Sequence, residues 1–76
     1  MDKAKAAQVV AKAAQVVAKA REISKLMNEI CALAERDEAI SELIIAQYPF
    51  AQSLDEVAND VILWRDVMAE KAEVPL

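Results

Sequence analysis

The chain has no glycine, no histidine, one cysteine, two prolines and three aromatic residues. Each shortage excludes something. Glycine is the usual residue wherever the backbone needs a positive φ, as hairpin turns do. Its absence argues against β-sandwich and dinucleotide-binding folds and removes the glycine-rich loops that cradle phosphates. Without histidine the chain lacks the usual general base and the commonest metal ligand. No Glu-x-x-His motif exists, so a di-iron carboxylate bundle is excluded. A lone cysteine has no internal disulfide partner and suits a reducing compartment, so a cytoplasmic location is expected. No run approaches the ~18 apolar residues of a membrane span. Gln8, Lys12 and Gln15 interrupt any leader-like apolar stretch at the start.

What is present is helix-forming material. Hydrophobic residues make up 57% of the 76 residues, yet 16 of them are alanines, which bury only a methyl group. A single small domain spanning 1–76 is expected to have a thin core and to gain burial against a second chain. The charge is unevenly placed. Residues 1–25 hold six cations and two carboxylates, net +4, whereas residues 26–76 hold three cations and eleven carboxylates, net −8.

Residues 5–11 read KAAQVVA, residues 12–18 repeat it, and Lys19-Ala20 begins a third copy, a heptad repeat over 5–20. Lys5, Lys12 and Lys19 share one stripe. Val9, Ala13, Val16 and Ala20 share another, which Ile23, Met27 and Ile30 continue at alternating spacings of four and three, with Val10 and Val17 widening it. Asp37 interrupts the pattern and Ile40, Leu43 and Ile44 resume it. With no proline or glycine before Tyr48-Pro49, the spacing predicts one long helix over 3–47, a turn at 48–53 and a second helix over 54–72. Ser53 and Glu56 form a capping box for that second helix. Leu54, Val57, Val61, Trp64 and Met68 form its main stripe, and Trp64 is expected in its core. The fold class is therefore all-α, an unequal helical hairpin that associates into a bundle. The alternative is a compact three-helix bundle with a break near residues 21–28. In the hairpin the second helix would cover only the last twenty or so residues of the first, leaving its Val/Ala stripe open.

Little of this carries chemistry. Cys31 lies beside the stripe with Glu29 and Glu35 as charged neighbours, which favours a structural thiol over a reactive one. Glu35, Glu38 and Glu42, and Glu56 with Asp60, read as solvated acidic faces before they read as cation ligands. The three lysines are too sparse, and too poor in neighbouring aromatics, for a strong nucleic-acid arm. Residues 53–61, SLDEVANDV, resemble the first helix of a helix-turn-helix. The glycine turn of that motif is missing after Val61, and residues 64–71 carry no net charge, Arg65 and Lys71 balancing Asp66 and Glu70. Tyr48 and Phe50 mark the helix stop and, with Trp64, are candidate anchors for a partner, since aromatics are enriched at interface hot spots.

The expectation is a non-enzymatic, self-associating or helix-binding module without cofactor or metal. Val9, Ala13, Val16, Ala20, Ile23, Met27 and Ile30 form its oligomer seam. Charge favours antiparallel long helices, +4 segment against −8 segment. A small nucleic-acid-binding regulator using the basic segment is the second reading. A helix lengthened by heptad copying, with function in residues 21–76, is the third.

Overall fold

A computed structural model describes all 76 residues as three α-helices joined by two short connections, with no strand. Helix α1 spans Lys3–Leu33, α2 Glu38–Gln47 and α3 Leu54–Ala72. The architecture is all-α, and α1 packs against α3. Asp2 caps α1, its carboxylate accepting from the Lys5 amide at 3.1 Å. Ser53 caps α3 as its sequence predicts, accepting from the Glu56 amide at 3.2 Å, and Asp55 and Glu56 sit in the positive first turn.

The expected helix over 3–47 is corrected: it ends at Leu33, and the break lies at residues 34–37 rather than near 21–28. Arg36 adopts φ 69°, a left-handed turn made without glycine. Two neighbouring side chains fix the helix ends on either side of it. Asp37 caps α2 by accepting from the Ile40 amide at 3.1 Å, and Ser41 donates its hydroxyl to the Ala34 carbonyl at 3.1 Å. Asp37, which only interrupts an apolar stripe when read as sequence, is thus a helix start with Glu38 in its first turn. Tyr48 leaves the helical region at ψ 121° before Pro49, and α2 stops there.

The break changes which segments pair. The 10-residue α2 doubles back loosely beside the end of α1, bringing Ile44, Ile45 and Tyr48 near Met27 and Cys31. Helix α3 therefore starts level with Ser24, whose hydroxyl bonds Asp55, and runs antiparallel to α1. At the other end Lys3 Nζ donates to the Ala72 carbonyl at 2.7 Å and lies 3.3 Å from the Glu73 carboxylate. The second long helix covers the first part of α1, not its end as the unbroken helix would have required.

The core between the two helices is made of small residues. Val10, Ala13 and Val17 of α1 and Ala58, Ala69 and Ala72 of α3 are buried, and Ala34 is buried at the turn. On α1 the half-buried Ala6, Ala20, Ser24 and Met27 extend this line at the same four–three spacing. Small side chains let the helices approach closely, but they supply little apolar area. The result is a slab of 53 × 19 × 14 Å, little thicker than one helix.

Candidate interaction face

Helix periodicity decides what this slab leaves open. Positions one residue apart on α1 differ by about 100° in direction, so Val10 and Val17 point at α3 while Val9 and Val16 stand at the edge of the contact. Within the expected seam, Ala13 is buried, Ala20 and Met27 are half-buried, and Val9, Val16, Ile23 and Ile30 are 45–49% exposed. The four exposed members recur every seven residues and form a ridge along one face of the slab.

Helix α3 adds a second ridge to the same face. Trp64 lies beside Val9, Ala13 and Val16, and Met68 lies beside Val9. Leu54, Val57 and Val61 continue that ridge at spacings of three and four. Trp64, expected in the core, is 48% exposed. The reason is local: the contact with α1 is centred on Ala58 and Ala69, and a large indole fits only at its margin. Its exposed half stands over the groove between the ridges.

The face has charged edges, basic along α1 and mixed along α3. Lys5, Lys12 and Lys19 border the α1 ridge, each four residues before Val9, Val16 and Ile23. Lys5 and Lys12 line the same groove as Trp64. Along the outer edge of α3 stand the exposed Glu56 and Asp60, while near its end the exposed Lys71 lies beside Lys5, Val9 and Met68. The basic half of the chain therefore already lies antiparallel to an acidic helix of its own chain. The opposite face of the slab is different, with Ala7, Ala11 and Ala14 beside Arg65 and the chain end, and Arg21 beside Asp55 and Asn59.

Below α3 the apolar surface widens. Leu26 and Leu33 take up the column of Lys5, Lys12 and Lys19 at the same seven-residue interval, and both are exposed, as are Leu43, Ile45 and Phe50. In the sequence Leu26 and Leu33 only flank the apolar stripe, although the interval that places them is the one that reveals the repeat. Tyr48 and Phe50 meet edge to face with centroids 5.6 Å apart, and the Tyr48 hydroxyl donates to the Gln52 carbonyl. Tyr48 is thereby held in the turn, half-buried, while Phe50 projects.

No three Cys, Asp or Glu side chains gather as a metal-holding cluster, and Cys31 is exposed and unpaired. Glu35, Glu38 and Glu42 are exposed. No helix is long and apolar enough to cross a membrane. No protein-family model matches the chain, and neither the curated proteins nor the solved structures contain a match to it.

Proposed function

We propose that this chain is a self-associating helical interaction module, without catalytic activity, that works through the two-ridged face of α1 and α3. One observation carries the reading: fifteen large hydrophobic residues are exposed, whereas the buried core holds only two valines and five alanines. Monomeric proteins rarely expose contiguous apolar patches beyond a few hundred Å². Here a ridge of Val9, Val16 and Ile23 runs beside Trp64 on one face, bordered by charge, which is the anatomy of an interface with an apolar centre and a polar rim.

The overall dimensions support the same reading. The radius of gyration is 16.6 Å, against about 11 Å for a compact chain of this length. The accessible surface is 5990 Å², against about 4,600 Å² for a folded monomer of this mass. Sedimentation equilibrium from micromolar to millimolar concentration tests the proposal. A mass of at least twice 8.3 kDa is expected. A monomer at millimolar concentration overturns self-association. Salt-sensitive binding of duplex DNA would support the regulator reading instead.

A further inference from the structure

We infer that the occupant of the two-ridged face is a second copy of this chain, related by a two-fold axis that runs along the helices, so that α1 of each copy lies over α3 of the other. The inference rests on the self-association proposed above and names its geometry.

Area comes first. The chain exposes about 1,400 Å² more than a compact monomer of its mass would. That excess is shared between the two-ridged face and the apolar surface around Leu26, Leu33 and Leu43, and covering half of it on both copies buries about 1,400 Å², within the 1,200–2,000 Å² of a standard interface. The face offered is about as long as the α1–α3 contact and has no deep recess, which suits a flat, self-complementary partner.

Charge then selects the axis. Two layers can pack face to face about a two-fold axis lying along the helices or across them. An axis across them sets α1 over α1, so the whole Lys5–Lys12–Lys19 edge meets its own copy. An axis along them exchanges the edges. The antiparallel register set by Lys3 against Glu73 and Ser24 against Asp55 fixes the heights within one chain. Lys19 of one copy then stands level with two carboxylates of the other, Glu56 and Asp60, and only Lys5 meets a like charge, at Lys71. Every neighbouring pair of helices in this four-helix arrangement is antiparallel, while the two α1 helices are parallel and diagonal. That departs from the antiparallel long helices expected from sequence charge. The reason is that α3, not the distal part of α1, supplies the carboxylates opposite the lysines.

Pulsed dipolar spectroscopy at two heights tests this. One sample is spin-labelled at the native Cys31, the other at Ala7→Cys in a Cys31→Ser background. Both positions are exposed, so neither label disturbs the core. With helices 8–10 Å apart, the inferred pair places both inter-copy distances below about 30 Å. If the α1 helices were antiparallel, the 24-residue separation of the two sites would force at least one distance beyond about 36 Å. Dimer mass with both distances short is the expected result. Dimer mass with either distance beyond about 30 Å overturns this geometry and leaves self-association standing. A mass above the dimer overturns the two-fold pair. A monomer with no dipolar signal overturns both the pair and the function proposed above.

Discussion

Arg36 and Glu73 hold left-handed conformations, with φ of 69° and 56°. A side chain with a Cβ gives up roughly 1–2 kcal/mol there relative to the right-handed region. At Glu73 the turn is a Schellman closure, with the Val74 amide reaching the Ala69 carbonyl at 2.9 Å and the Glu73 amide reaching Glu70 at 3.2 Å. Its carboxylate also meets Lys3. Arg36 has no such compensation, since no ion pair or side-chain hydrogen bond involves it. Arg36→Gly is therefore expected to stabilise the chain by about 0.5–1 kcal/mol. Relief of the steric cost would exceed the added freedom of the unfolded glycine. Urea unfolding checks this; a loss of stability would mean that residue 36 is not left-handed. The neighbouring cap has the opposite sign. Asp37→Ala is expected to cost about 1 kcal/mol, and Asp37→Asn much less, because an amide oxygen still accepts from Ile40. Circular dichroism on the same titration would show whether the lost helix is about the size of α2.

At the scale of elements, legibility followed the strength of local signals. Helix α3 could be bounded from Ser53, Glu56 and the apolar spacing up to Ala72, because a capping box and a four–three pattern are both local. The end of α1 could not. Its stop needs a left-handed arginine, a capping aspartate and a serine that reaches back to Ala34, and none of these residues forbids a helix by itself. The seam shows the same limit. Periodicity finds two adjacent apolar columns, Val9/Val16/Ile23 and Val10/Val17, but only the position of α3 decides which one is covered. The two columns therefore give opposite predictions. Val17 is 2% exposed, and Val17→Ala is expected to cost about 2 kcal/mol of chain stability at any protein concentration. Val16→Ala should leave the dilute chain within about 0.5 kcal/mol of its original stability, as for surface sites. Thermal melts of both variants at two concentrations separate the columns. Equal losses at high dilution would mean that α3 does not lie over Val10 and Val17.

At the scale of the whole molecule, a slab 14 Å thick leaves the heavier apolar residues outside it, so stability and association should be linked. Ligand linkage makes the melting temperature of such a chain rise with its own concentration. Trp64 is the most sensitive probe of that linkage. Were it the centre of an intramolecular core, Trp64→Ala would cost roughly 3–5 kcal/mol regardless of concentration. It is instead 48% exposed, with one side against Val9 and Val16 and the other open. Truncation is therefore expected to cost the dilute chain only about 1–2 kcal/mol, scaled from its buried half. It should weaken self-association by roughly thirtyfold or more, the effect of losing an aromatic hot spot worth about 2 kcal/mol. Trp64→Phe should recover much of the association, since a ring still spans the groove. The indole fluorescence of the unsubstituted chain gives an independent readout. Its emission should shift to shorter wavelength as concentration rises through the association range, because the exposed half of the ring leaves water. Emission that stays constant across that range, while the mass doubles, would place Trp64 outside the interface and move the contact to the apolar surface around Leu26, Leu33 and Leu43.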